Sequence, residues 1–122
     1  MHDVIILLSS NFEPLYHMER ARLYLKQVLY SVSFTRPIWT EPYHSPLPLL
    51  YQNQLVYART FRFVEDFLIQ LKRIEHELGR TAEEKRRGIV RIDIDLMQYD
   101  RTRYHLADWE RPYMKLLMEE QT

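Results

Sequence analysis

The sequence predicts an α+β fold in which an antiparallel sheet carries helices on one face. Three observations support this prediction: two amphipathic helical stripes, four segments that are typical of strands, and the order of these elements. That order is strand, helix, strand, strand, helix, strand, which is typical of the ferredoxin-like, split βαβ sandwich. The chain has 122 residues, so we expect a single domain over residues 1–122.

The first half of the chain begins with a strand and a helix. Residues 3–9 are apolar and β-branched, as in a buried strand. Asn11 and Pro14 are typical of a helix start, with Asn11 as the capping residue and Pro14 in the first turn. Apolar residues then recur with helical spacing to about Tyr30, and a second strand is predicted over residues 32–39.

The second half follows a loop of about ten residues that is marked by prolines and is long enough for a functional role. The second helix has the clearest amphipathic stripe, and Gly79 stands where a left-handed residue commonly ends a helix. The remaining predicted elements are a strand over residues 53–63, a helix over 64–78, a loop over 80–88, a strand over 89–97 and a last helix from about Asp108.

Composition excludes several classes of protein. The chain has no cysteine, which removes disulfides, thiolate nucleophiles and cysteine-bound zinc. Its two glycines, Gly79 and Gly88, are too few for a phosphate-binding loop or a dinucleotide fingerprint. Seventeen basic residues balance seventeen acidic ones, so a surface for generic binding to nucleic acid is not expected.

The apolar segments also bear on where the protein works. The run over residues 4–8 is too short to span a membrane, and no basic leader with a cleavage site precedes it. We therefore expect a cytoplasmic protein with no membrane partner.

Two aspartates in the last predicted strand are the most informative pair in the chain. Alternate side chains of a strand share a face and lie about 7 Å apart. Ile92 and Ile94 can therefore enter the core while Asp93 and Asp95 stand side by side on the opposite face. Carboxylate oxygens suit Mg²⁺ bound to substrate phosphates. An ordinary solvent-exposed strand face is the alternative interpretation.

The segment before these aspartates is basic. Residues 80–91 hold five cations against two acids: Arg80, Lys85, Arg86, Arg87 and Arg91 against Glu83 and Glu84. Cations beside paired carboxylates are what a metal–polyphosphate site needs. A solvated loop without a ligand is the alternative.

Three further residues stand out by type or position. Glu75 falls within the apolar face of its helix, where a carboxylate costs free energy unless it is paired or reaches water. Tyr51 and Asn53 follow the proline loop and offer an aromatic face and an amide, which suit a flat heterocycle. Packing and turn formation are the alternative roles for these two residues.

Taken together, these segments resemble the 6-hydroxymethyl-7,8-dihydropterin pyrophosphokinase family of folate biosynthesis. The resemblance depends first on Leu78-Gly79-Arg80, followed thirteen residues after Arg80 by Asp93-Ile94-Asp95, with Gly88 between them. It extends from the first strand to about Met114. Further matching motifs are Ser10-Asn11, Thr40-x-Pro42, Tyr51-x-Asn53, and His105 followed by Arg111 and Tyr113.

The resemblance implies transfer of pyrophosphate from ATP to the hydroxymethyl group of the pterin, with release of AMP. It implies two Mg²⁺ ions on Asp93 and Asp95 and a catalytic role for these two residues and Arg80. The partners it implies are small molecules, ATP and the pterin. The implied pterin-binding residues are Thr40, Tyr51, Asn53 and Tyr113, and the implied nucleotide-binding residues are Glu75, Arg91, His105 and Arg111.

The sequence differs from the family pattern at several places, among them Tyr104, where the family has a proline before its histidine. Ser9 replaces the glycine that precedes Ser-Asn, and Arg87-Gly88-Ile89-Val90 replaces Trp-Gly-Pro-Arg. A non-catalytic homologue that binds a pterin or a nucleotide is therefore the alternative function. An RNA-binding module on the same scaffold is disfavoured, because residues 57–63 carry aromatics without the glycine of such motifs.

Overall fold

The computed structural model describes residues 1–42 and 45–119. Its strands are β1 (His2–Ser10), β2 (Ser31–Phe34), β3 (Ile38–Thr40), β4 (Tyr51–Thr60), β5 (Asp93–Tyr99) and β6 (Thr102–Arg103). Its helices are α1 (Pro14–Val28), α2 (Val64–Glu77), α3 (Ala82–Arg86), α4 (Leu106–Trp109) and α5 (Pro112–Glu119).

The strands form one antiparallel sheet. The order is β2-β4-β1-β5-β6, and β3 pairs with β4 beyond the end of β2. β1 is central, with β4 on one side from His2 to Ser10 and β5 on the other. The predicted α+β class and its antiparallel sheet are confirmed.

Alternation along β1 separates two hydrophobic clusters. Ile6 and Leu8 lie beneath α1 and α2 in the larger cluster, while Leu7 faces the opposite side of the sheet. The two long helices thus share one face, as predicted. The opposite face is partly covered by α4 and α5 through Trp109, Met114 and Leu117. The prediction placed helices on one face only and did not include these two.

Several element boundaries differ from the prediction. The strand expected over residues 32–39 is two strands, because Pro37 has no backbone N–H to continue the ladder. The loop expected over residues 80–88 contains α3, whose N-cap Thr81 accepts a hydrogen bond from the backbone N–H of Glu84. The proline loop includes residues 43 and 44, which lie outside the described residues.

The expected cap at Asn11 is wrong. Glu13 is the N-cap of α1, in a left-handed conformation at φ 43° and without a side-chain capping bond, whereas Pro14 is in the first turn as expected. The Asn11 side chain instead donates to the carbonyl oxygen of Gly88 and accepts from the N–H of Val90, both at 2.7 Å. Residues 88–90 are not part of a strand, and β5 begins at Asp93 rather than at residue 89.

Two further observations concern the end of α2 and the length of the helices. Gly79 follows α2 in a left-handed conformation at φ +90°, as predicted from its position after the amphipathic stripe. Among the residues that the structure describes, no helix combines the length and the apolar character needed to cross a membrane.

Candidate active site

The register of β5 places the two aspartates on the face predicted for them. Asp93 lies opposite Ser9 and Asp95 lies opposite Leu7, on the side of the sheet away from α1 and α2. Ile94, between them, is buried in the larger core. The alternation expected from the sequence is therefore present.

A pocket of about 180 Å³ opens above these aspartates. Its lining consists of Leu7, Ser9, Thr40, Glu41, Tyr51, Asn53, Asp93, Asp95, Asp108, Arg111 and Tyr113. All four residues expected to bind a pterin are among them, together with both aspartates and one of the four residues expected to bind the nucleotide. The structure thus brings together residues that lie up to 106 positions apart in the sequence, from Leu7 to Tyr113.

One wall of the pocket is formed by β3 and β4. Thr40 lies opposite Tyr51, and Asn53 lies opposite Ser9 on β1. Burial, and after it the negative charge of Asp93, raises the pKa of the Tyr51 hydroxyl. Tyr51 lines the same pocket as Asp93 and Asp95.

The opposite wall comes from the C-terminal helices. The indole N–H of Trp109 donates to the carbonyl oxygens of Met97 and Tyr104, which ties α4 to the end of β5. Met114 is fully buried in the smaller core and anchors α5. Arg111 and Tyr113, which lie on either side of the first residue of α5, are thereby directed to the pocket.

Asp93 is held by two cations. The Nε of Arg80 donates to its Oδ1 at 2.9 Å, and the Nζ of Lys85 donates to its Oδ2 at 3.2 Å. Burial acts to lower the pKa of Arg80, but the hydrogen bond and the charge of Asp93 outweigh it, so the pKa is raised. The Lys85 side chain is 48% exposed and Arg80 only 21%, so the Lys85 contact is the more easily exchanged.

Glu75, which the resemblance places at the nucleotide, does not line the pocket. Its side chain is 4% exposed, and its Oε2 accepts the backbone N–H of Ile94 at 2.6 Å. Its Oε1 lies 3.7 Å from Arg80 Nε. Burial raises the pKa of Glu75, and the Ile94 N–H partly offsets that rise. Glu75 therefore supports Arg80 and β5 from below.

Asp95 has the most perturbed carboxyl group of the site. Burial, followed by the charge of Asp93, raises its pKa to about 6. The charge of His105 acts in the opposite direction, although His105 does not line the pocket. His105 is also the N-cap of α4 with φ 53°, a strained conformation for a non-glycine residue.

Arg91, which the resemblance places at the nucleotide, does not line the pocket and pairs with Glu84 in this structure. Its guanidinium donates to both carboxylate oxygens of Glu84, at 2.8 and 3.0 Å, and lies 4.6 Å from the ring centroid of Phe12. This bidentate contact engages Nε and one terminal nitrogen of the guanidinium. Arg91 instead fastens α3 to the start of α1.

Four pocket residues were not among the predicted site residues: Leu7 and three polar residues. Asp108 contacts the Nε of Arg111 at 3.2 Å, Glu41 stands at the wall next to Thr40, and Ser9 lies on the floor. The spacing of Asp108 and Arg111, three apart, was a usable signal. Ser9 became significant only through the strand register.

The carboxylates fit a magnesium ion that a polyphosphate carries. Among the described residues, no group of three or more His, Cys, Asp or Glu side chains is arranged to hold a metal by itself. Mg²⁺ in phosphoryl-transfer sites commonly uses one or two carboxylates, with substrate phosphates and waters as its other ligands. Asp93 and Asp95, which share one face of β5 and line the pocket, meet that requirement.

Fold and pocket together define a small-molecule site on an α+β sheet, with carboxylates and cations suited to a polyphosphate. The family model for 7,8-dihydro-6-hydroxymethylpterin-pyrophosphokinase (HPPK) matches residues 5–120. Because this match covers nearly the whole chain, the chain belongs to the HPPK family, a family of diphosphokinase transferases that use ATP and Mg²⁺. No curated protein matches the chain.

Proposed function

We propose that the protein transfers the pyrophosphate of ATP to the hydroxymethyl group of 6-hydroxymethyl-7,8-dihydropterin and releases AMP. In this reaction the hydroxymethyl oxygen forms a bond to the β-phosphorus while the bond between the β-phosphorus and the oxygen of the AMP phosphate breaks. The hydroxyl proton is released. The family assignment supports the reaction class, and the pocket supports the substrate class.

The observation that carries the proposal is the shared pocket. Tyr51, Asn53 and Tyr113, which suit a flat heterocycle, line the same cavity as Asp93 and Asp95, which suit metal-bound phosphates. A transfer between two bound substrates requires this proximity, because positioning supplies much of the rate.

On the pterin side, we assign the ring to the space between Tyr51 and Tyr113. Aromatic side chains favour stacked contacts with flat rings. Asn53 and Thr40 then lie at the wall where the polar edge of the ring would be recognised.

On the phosphate side, Asp93 and Asp95 would hold two Mg²⁺ ions. Bound Mg²⁺ would neutralise phosphate charge as that charge shifts between the breaking and forming bonds. Arg80 keeps Asp93 in place at 2.9 Å, and Arg111 lines the pocket. His105 is assigned to the nucleotide on the family resemblance. Lys85, which also contacts Asp93, can turn to a phosphate when a metal ion takes its position.

The test is formation of AMP from ATP in the presence of the dihydropterin and Mg²⁺. We expect turnover by the wild type and a loss of at least about a hundredfold in Asp95→Asn, which keeps the shape and removes the charge. Asp3→Asn is the matched control, since Asp3 is an exposed aspartate at the other end of the sheet. No AMP from the wild type at high enzyme and Mg²⁺ concentrations would exclude the proposal.

A non-catalytic pterin- or nucleotide-binding function is the second candidate. Val90 stands where the family pattern has an arginine, and it is 3% exposed with its N–H bound to Asn11. The described part of the loop thus directs no guanidinium from this position to the pocket. Calorimetric binding of the dihydropterin without AMP formation would favour this candidate, and turnover would exclude it.

A further inference from the structure

The floor of the pocket contains a chain of hydrogen bonds that crosses three strands. The Ser9 hydroxyl donates to Oδ1 of Asn53 at 2.7 Å, and Nδ2 of Asn53 donates to Oγ1 of Thr40 at 2.6 Å. Ser9 is 9% exposed and Asn53 is 4% exposed. The amide of Asn53 is therefore held from both sides in a site that water hardly reaches.

Ser9 occupies a central position among the proposed substrate contacts. In the register of the sheet it lies opposite Asn53 on β4 and opposite Asp93 on β5. Directly opposite residues on one face have Cβ atoms about 5 Å apart. Ser9 thus separates the residue assigned to the pterin edge from the residue assigned to the phosphates.

The chain limits what Asn53 can offer a ligand. An asparagine side chain has two N–H donors and two acceptor lone pairs. Ser9 takes one lone pair and Thr40 takes one N–H, so one donor and one acceptor remain. A flat ring edge with one acceptor and one donor side by side complements that remainder.

We infer that Ser9 is a positioning residue for recognition of the pterin ring. It holds the Asn53 amide in place before the ligand binds. This inference rests on the proposed function. A glycine at this position, as in the family pattern, leaves Oδ1 of Asn53 without this partner. The ligand would then have to immobilise the amide itself, and binding would lose that part of its free energy.

Removal of the Ser9 hydroxyl is the direct test. In Ser9→Ala we expect the dissociation constant and KM for the dihydropterin to rise about three- to tenfold, the range for loss of one buried neutral hydrogen bond. We expect the affinity for a non-hydrolysable ATP analogue and the value of kcat to stay within about twofold. Ser9→Thr, which restores a hydroxyl, should recover dihydropterin binding.

Ser10→Ala is the matched control. Ser10 is also buried, but it lies on the other face of β1 and donates to Phe12 and Val90 carbonyl oxygens. Its removal should lower the thermal midpoint without changing the dissociation constant of the dihydropterin. If both serine variants weaken dihydropterin binding equally, the effect is a general loss of packing and the inference is overturned.

A second readout follows Asn53 itself. The side-chain amide signals of Asn53 in a nitrogen–proton spectrum should shift and exchange faster with solvent in Ser9→Ala. Thr40→Val, which removes the other partner without altering β1, should weaken dihydropterin binding by a similar factor. Unchanged amide signals and unchanged binding in these variants overturn the inference while wild-type turnover still supports the proposed function. A wild type that binds no dihydropterin overturns both.

Discussion

The carboxylate of Glu75 accepts the backbone N–H of Ile94 at 2.6 Å, a contact between α2 and the strand that carries both aspartates. Ile94 lies between Asp93 and Asp95, so this bond fixes the backbone of the proposed metal site from the core side. The same carboxylate lies 3.7 Å from Arg80, which in turn holds Asp93. Glu75, although it lies within an apolar stripe, therefore positions Arg80 and the backbone between the two aspartates from the core side.

Truncation of Glu75 should destabilise the protein. Glu75→Ala leaves the buried N–H of Ile94 without its partner, which costs about 1–3 kcal/mol. Glu75→Gln retains an oxygen acceptor and should cost less. Urea unfolding measures both, with Glu77→Ala, an exposed residue of the same helix, as the control. Equal stability of Glu75→Ala and the wild type would contradict this role.

Asp95 should give the stability an unusual dependence on pH. Its pKa is raised to about 6 from 3.8, so the folded state binds this proton more tightly than the unfolded state does. Its contribution to stability is therefore complete below about pH 3.8 and is lost as the pH rises through about 6. Asp95→Asn lacks this titration.

The measurement compares thermal midpoints of the two proteins in the absence of Mg²⁺. The midpoint of Asp95→Asn minus that of the wild type should increase between about pH 4 and about pH 7. A difference that stays constant over this range would show that Asp95 titrates normally.

Asn11 should control the loop that precedes β5. Asn11→Ala removes both side-chain bonds to residues 88–90 and should cost about 2–4 kcal/mol, since a buried carbonyl and a buried N–H lose partners. Hydrogen exchange at the Val90 N–H is the most specific readout, and it should accelerate more than exchange in β1. Gln27→Ala on the exposed side of α1 is the control. Unchanged Val90 exchange would contradict the assignment.

Lys85 should compete with metal ions for Asp93. The Nζ of Lys85 lies 3.2 Å from Oδ2, and its side chain is about half exposed. Lys85→Met should therefore tighten Mg²⁺ binding to the nucleotide-free protein by about two- to fivefold, the scale of an exposed ion pair. Calorimetric titration with Mg²⁺ measures the effect, and Lys115→Met on α5 is the control. Weaker metal binding in Lys85→Met would show that Lys85 supports the site instead.

Local patterns in the sequence were sufficient to predict which residues lie on the sheet face that carries the site. The alternation of Ile92, Asp93, Ile94 and Asp95 has a period of two, which a strand converts directly into one apolar and one polar face. Gly79 likewise follows α2 in the left-handed conformation that its position predicted, at φ +90°. Such signals depend on neighbours in the chain and survive folding unchanged.

Asn11 shows where local patterns failed. Its side chain could either cap α1 or bind the backbone of residues 88–90. In the structure it binds the carbonyl oxygen of Gly88 and the N–H of Val90. For Arg91, which the family resemblance places at the nucleotide, the bidentate contact with Glu84 depends on where α3 lies. Neither partner can be identified from sequence spacing.

The sequence by itself determined the α+β class, the amphipathic helices and the carboxylate pair on one face of a strand, because all of these follow from short periodicities. Only the tertiary structure decided which distant groups complete the site: Ser9 beneath Asn53, Asp108 beside Arg111, and Glu75 behind the aspartates. The physical reason is that a hydrogen bond requires a partner within about 3 Å. Strand register and helix packing, rather than chain order, bring such partners together.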